Sequence, residues 1–336
     1  SGSTGRVYVV YGKTSGTAVA ASAIVAGSGG FALTGETTSS FAGHAVSSGG
    51  DINGDGFADI IVGAPFLNGQ AGKAYVLFGK SSMGSLTLSA LGGSGFTISG
   101  EAANNVLGSD VTYAGDVNGD GLADIAVGAY GYGSNAGRSY VIFGRTSGNI
   151  DINVASSSLG TRGFMILSES VADEEGTSIS YAGDMNGDGL ADILVASRLN
   201  DAAGSNVGRV YVVYGRSGTA SVVLADVARG IGGFAVTGQC SDDQFGHDVA
   251  AGGDINGDGL ADIVIGARSN DGSANEAGRA YVIFGRTDGT SSSVVVDVMG
   301  TASAEALSDG GTGKTVFAGA GDDTLTLTAA SVMDGQ

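Results

Sequence analysis

Short apolar segments recur along the chain in a fixed order, each too short to stand as an isolated helix and most of them bounded by glycine. One segment appears five times: GRVYVVYG from Gly5, GKAYVLFG from Gly72, GRSYVIFG from Gly137, GRVYVVYG from Gly208 and GRAYVIFG from Gly278, spaced 65–71 residues apart. A second appears four times in the same frame, as GFALTGE from Gly30, GFTISGE from Gly95, GFMILSE from Gly163 and GFAVTGQ from Gly233. Two further apolar stretches, the later one of the type ADIIVGA at 58–64, flank an acidic segment in each frame. Each frame therefore offers four short strands.

Strands of the YVVYG type are apolar at consecutive positions, so both of their faces need cover. Four antiparallel strands per unit, sharing a core with the neighbouring units, fit a β-propeller blade better than a solenoid coil of about 20–45 residues. The predicted fold is all-β: a propeller of four-stranded antiparallel blades over residues 1–299 and a separate β segment over 300–336. The blades fall at about 41–100, 101–168, 169–238 and 239–299, after a partial blade at 1–40. Strands Val7–Tyr11 and Phe31–Thr34 of that partial blade either pair with C-terminal strands, closing a five-bladed ring, or belong to a segment of a seven-bladed one. The opening SGSTG is like the interior loops GSNAG and GSNVG, so more chain is expected upstream.

Composition sharpens this picture. Glycine fills 63 of 336 positions and proline one, which suits many tight turns. A net charge of −19 argues against nucleic acid and anionic membrane surfaces and in favour of cations. No apolar run reaches the roughly 18–20 residues that span a bilayer. Cys240 is a lone thiol, so no internal disulfide framework is available.

The acidic segments carry the chemistry. They read DINGDGFAD at 51–59, DVNGDGLAD at 116–124, DMNGDGLAD at 184–192 and DINGDGLAD at 254–262. Oxygen-bearing side chains stand at positions 1, 3, 5 and 9, glycine at 6 permits a sharp turn, and position 7 can lend its carbonyl, a set of hard oxygens suited to Ca²⁺. A helix-loop-helix calcium hand would need a bidentate Glu at position 12, where Val62, Val127, Val195 and Ile265 stand instead. Turn chemistry alone accounts for one Asn-Gly-Asp-Gly, but not for four copies that each crowd three carboxylates together. About four Ca²⁺ ions are expected, bringing the charge from −19 to −11 and linking folding to calcium.

These loops, with VGAP at 62–65 and the Phe-Gly of Phe245-Gly246 and its variants at 41–43 and 107–108, resemble the FG-GAP repeats of integrin α-chain propellers and related bacterial surface proteins. The resemblance assigns one ion to Asp51, Asn53, Asp55, the Phe57 carbonyl and Asp59. It assigns the others to Asp116, Asn118, Asp120, Leu122 and Asp124; to Asp184, Asn186, Asp188, Leu190 and Asp192; and to Asp254, Asn256, Asp258, Leu260 and Asp262. The third unit departs from the pattern, with EEG at 174–176. The stretch from Val316 resembles the start of an RTX nonapeptide array, with Asp323 as ligand and Leu325 inward, or else forms a hairpin that completes the open blade. An RTX array would imply a bacterial protein exported by a type I system.

No catalytic constellation emerges. His44 and His247 occupy equivalent places in two different units, out of reach of a shared nucleophile. Arg6, Lys73, Arg138, Arg209 and Arg279 recur regularly, which favours a contact between neighbouring blades. The loops opposite the acidic ones vary and display Phe66, Tyr130, Tyr132, Arg198 and Arg268, residue types that recognition surfaces favour. The expected function is non-enzymatic: an extracellular, calcium-binding ligand-binding or adhesion module of a bacterial surface or secreted protein, with a protein or carbohydrate partner. A propeller attached to a secreted hydrolase and a self-associating subunit of a sheath or filament are the alternatives.

Overall fold

A computed structural model describes residues 3–147, 151–154, 159–270 and 278–287, together with the backbone of four short strands beyond 295. Its architecture is all-β, built from successive antiparallel sheets. The first unit contains Val46–Gly50, Asp59–Ala64, Lys73–Leu77 and Gly95–Ser99, paired in that order. The second contains Val111–Gly115, Asp124–Gly128, Arg138–Ile142 and Gly163–Leu167. Ser178–Gly183, Asp192–Ser197, Arg209–Val213 and Gly233–Thr237 make the third. Among the described residues the fourth unit has three strands, Phe245–Gly253, Asp262–Ala267 and Arg279–Ile283. An N-terminal pair, Arg6–Val10 with Gly30–Thr34, precedes them.

The consecutive apolar runs dictate how these sheets stack. Every residue of Asp124–Gly128 is buried, and Tyr75, Tyr140 and Tyr211 of the third strands are fully so, because each sheet is covered by a neighbour on both faces. Hydrophobic layers form between successive sheets: Phe31, Leu33 and Val62 between the N-terminal pair and the first unit, Ile61 and Val127 in the next layer, Val141 and Val195 in the third, Leu194 and Ile265 in the fourth. Each fully buried aliphatic chain contributes about 1.5–3 kcal/mol. The strand Arg6–Val10, covered on one face only, shows the contrast, with Tyr8 42% and Val10 53% exposed.

Two linkages were not visible in the repeat pattern. The connector between the third and fourth strands of a unit reaches back and adds a short parallel strand to the outer edge of the preceding sheet: Leu86–Thr87 on Leu33–Thr34, Ile152–Asn153 on Ile98–Ser99 and Val222–Val223 on Ile166–Leu167. The second linkage is a close backbone approach between units. A Cβ on Gly72, Gly137 or Gly208 would lie 2.1–2.2 Å from the carbonyl oxygen of Leu107, Glu175 or Phe245 in the following unit, so only glycine fits.

Beyond 295 the strands pair among themselves. Val296–Met299 lies parallel to Thr315–Phe317, and Ala306–Ser308 parallel to Thr324–Thr326 in the register Leu307↔Leu325. The sheet of the N-terminal pair contains Leu86–Thr87 as its third strand. Asp323 lies outside the described residues.

Candidate metal centre

The acidic loops hang from one edge of the sheets, each joining the first strand of a unit to the second. A bulge aims each of them: the register slips between Ser48 and Gly50, Tyr113 and Gly115, Tyr181 and Gly183, and Ala251 and Gly253, and the second residue of each pair is a positive-φ glycine. The sequence signal for this is the small-residue pair before each loop, which the strand pattern alone passed over.

Inside the loop the side chains fold the backbone around themselves. Asp51 Oδ1 accepts the N–H of Gly54 at 2.7 Å and of Asp55 at 3.0 Å, while Oδ2 accepts that of Gly56 at 2.8 Å. Asn53 Oδ1 accepts the Asp55 N–H, and its Nδ2 donates to Asp55 Oδ2. The Phe57 N–H reaches Asp55 Oδ1 at 2.9 Å. The same bonds recur in the loops beginning at Asp116, Asp184 and Asp254.

Position 9 is different in kind. Asp59, Asp124, Asp192 and Asp262 are at most 1% exposed. Asp59 Oδ2 accepts the Ile52 N–H at the loop's start and Oδ1 that of Gly79 just past the third strand. Asp124, Asp192 and Asp262 hold the equivalent pairs, Val117 with Gly144, Met185 with Gly215, and Ile255 with Gly285. Burial pushes Asp59 up to about 6 and Asp124 and Asp192 to about 7, with the negative charges at positions 1 and 5 adding to the rise and the backbone N–H groups opposing it.

Among the described residues no three acidic, imidazole or thiol groups converge into a closed metal cage. The donor chemistry nonetheless fits a hard cation. Three carboxylates share one field, since Asp51 and Asp55 both raise Asp59, and Asn53 adds a fourth oxygen-bearing side chain.

The loops are also joined to each other. The position-8 N–H donates to the position-1 carbonyl of the preceding loop: Ala123 to Asp51 at 3.1 Å, Ala191 to Asp116 at 3.0 Å and Ala261 to Asp184 at 3.0 Å. The residue two past the third strand's closing aromatic does the same for the position-2 carbonyl: Arg145 to Ile52, Arg216 to Val117 and Arg286 to Met185, at 2.7–2.8 Å.

At the opposite edge lie the residues proposed for recognition, each following the second strand of its unit. Phe66 meets Phe41 edge-on at 5.3 Å and His44 at 5.7 Å, and Phe41 is 43% exposed. Tyr130 is half-buried and Arg268 exposed. Tyr132 carries the Arg138 guanidinium 3.7 Å above its ring. Arg198 gives two hydrogen bonds to Glu174 Oε2. The structure therefore already engages Tyr132 and Arg198 within the chain. His44 sits in the first unit beside Phe66, and His247, in the fourth, bonds Asp248 at 2.9 Å.

Three of the five recurring bases bridge neighbouring units, through partners that lie far away in sequence. Lys73 pairs with Glu36, Arg138 with Glu101 and Arg209 with Glu169, and the hydroxyls of Tyr75, Tyr140 and Tyr211 donate to the same carboxylates at 2.6–2.7 Å. The acid is the residue that ends each GFxxxGE-type segment. In the fourth case Gln239 takes its place, 3.5 Å from the Tyr281 hydroxyl.

Sheets of this repeat, stacked face to face and carrying one oxygen-rich loop at the same corner of each, define a repeat protein of the propeller type. The FG-GAP repeat model matches residues 42–77, 111–142, 176–213 and 245–283, and the chain is an FG-GAP repeat protein of the integrin α type. It is 34% identical over 164 residues to integrin alpha-E of Mus musculus, covering 44% of this chain and 13% of that protein. It is 29% identical over 181 residues to integrin alpha-4 of Xenopus laevis, covering 52% and 16%, and 38% identical over 96 residues to integrin alpha pat-2 of Caenorhabditis elegans, covering 28% and 8%. The chain thus spans a sixth or less of the length of these relatives. Among the described residues no helix is long and apolar enough to cross a membrane.

Proposed function

We propose that this chain is a calcium-stiffened β-propeller segment that binds an extracellular protein or carbohydrate through the edge opposite its aspartate loops, as an adhesion module of a surface or secreted protein. The observation that carries this reading is the recurrence of one loop architecture at the same corner of four sheets, while the opposite edge differs in every unit. A fixed scaffold with variable loops is the usual layout of a recognition surface. Phe41, His44 and Phe66 form the most exposed aromatic group there, and Arg268 adds a charge.

In this reading Asp51, Asn53, Asp55, the Phe57 carbonyl and Asp59 hold one Ca²⁺, and the other three loops do likewise. A bound ion supplies charge neutralisation; the chain's own residues do the rest, with position 9 tying the loop to the strand exits. A bacterial, type I-exported origin is supported by the parallel pairing of Ala306–Ser308 with Thr324–Thr326, 18 residues on, which is the rise expected of two nonapeptide repeats and not of a hairpin.

The test is binding to glycan arrays and to cells, with and without chelator, alongside anomalous scattering from crystals grown in calcium. Chelator-sensitive binding that is lost on replacing Phe66 and Arg268 by Ala supports the reading. Loops that stay empty at millimolar calcium overturn it.

A further inference from the structure

We propose that calcium loading is coupled between consecutive loops: each loaded loop raises the affinity of the loops on either side of it through the backbone hydrogen bonds that join them. This rests on the calcium reading above. The position-8 N–H lies between the position-7 carbonyl and the position-9 carboxylate, so it belongs to the ligand-bearing half of its loop. It is anchored on the carbonyl of the preceding loop's position-1 aspartate, whose carboxylate organises that loop's first half. Leu190 of the next loop also packs close to this backbone: a Cβ on Gly119 would come 3.0 Å from its Cδ2.

Ordering one loop therefore fixes the backbone at one end of each neighbour. A neighbour that is already partly ordered loses less conformational freedom when it takes its own ion, and the gain is reciprocal. Among the described residues the bonds run between adjacent units, so the effect falls with distance along the array.

Calcium alone, titrated into the full chain, tests this when each loop is read separately from the amide resonance of its position-6 glycine, Gly56, Gly121, Gly189 and Gly259. Asp188→Ala removes one ligand; Asp188 is exposed and, among the described residues, its side chain bonds within its own loop. The expected result is that half-saturation at Gly121 and Gly259 moves to at least about 5-fold higher calcium, while Gly56 moves less. Asp258→Ala, at the last loop, should shift Gly189 more than Gly121. Neighbouring curves that do not move in either variant overturn the coupling alone. Wild-type glycines that do not respond at several-fold millimolar excess overturn the calcium reading and the coupling with it.

Discussion

The loops of the second and fourth units differ in one residue, DVNGDGLAD against DINGDGLAD, and are folded by the same internal bonds, yet their surroundings are unlike. Val117 at position 2 is fully buried, its carbonyl held by the Arg216 N–H and that of Asp116 by Ala191. Ile255 at the same position is 51% exposed. The motif writes the donor set, and the residues packed on the loop decide how firmly it is held; among the described residues the next unit supplies backbone partners to the second loop. Affinity and rigidity should therefore differ between sites that a sequence comparison would score as the same.

The largest effect should come from removing calcium altogether. On the proposed calcium reading, a loop that binds one ion gains about 2.7 kcal/mol at free calcium one hundred times its dissociation constant, so chelation should lower the melting temperature by many degrees. Hydrogen exchange at falling calcium should show the amides of 254–262 losing protection before those of 116–124. Simultaneous loss would break the comparison.

Next in size is the buried aspartate. Asp124 holds two fully buried backbone N–H groups, and Asp124→Ala leaves both without partners, at a cost of about 3 kcal/mol by urea denaturation. Asp262→Ala should cost roughly half as much, because the Ile255 and Asn256 N–H groups it releases beside that of Gly285 are only partly buried and can turn to water.

A smaller effect is expected where the third unit clamps the second. Glu175 stands where the fourth unit has Phe245, fully buried, with Ser139 Oγ at 2.5 Å and its other oxygen unpartnered. Burial pushes its carboxyl up to about 8, opposed by the Ser139 hydrogen bond and the Arg138 charge. A carboxyl group easier to protonate folded than unfolded supports the fold at low pH and withdraws that support as pH climbs from about 4.5 to about 8. Glu175→Leu should flatten this slope and add about 1–3 kcal/mol at pH 8, read from melts across pH. An unchanged slope would show that the joint is already hydrated.

What the sequence made legible was whatever repeats. The strand frame, the four aspartate loops and the need to cover both faces of YVVYG strands could be read from Gly5 to Ile283 because each copy restates the same physical demand. The bridging role of Lys73, Arg138 and Arg209 was legible too, though not their partners, since Glu36, Glu101 and Glu169 lie 37–40 residues away in another unit. The parallel strands Leu86–Thr87, Ile152–Asn153 and Val222–Val223 left only a faint signal, being two residues long and marked by no more than one apolar-x-apolar step, Leu86/Leu88, Ile152/Val154 and Val222/Leu224, in connectors that otherwise differ. Tyr132 and Arg198 looked like recognition residues because their residue types are also those that stack and pair within a chain. Only the geometry separates the two uses.

The smallest predicted effect concerns the link between the third and fourth units. In the second unit Tyr140 donates to Glu101 at 2.6 Å and Arg138 pairs with the same oxygen, a charge-assisted arrangement shielded on both sides. In the fourth, Tyr281 faces Gln239 at 3.5 Å, a neutral and longer contact. Gln239→Glu should restore the ionic form and shorten that distance. Partial exposure limits the gain to at most about 1 kcal/mol, and salt should diminish it. Denaturation at low and at 1 M salt checks both statements: a gain that survives high salt undiminished would mean that packing, not charge, distinguishes the two joints.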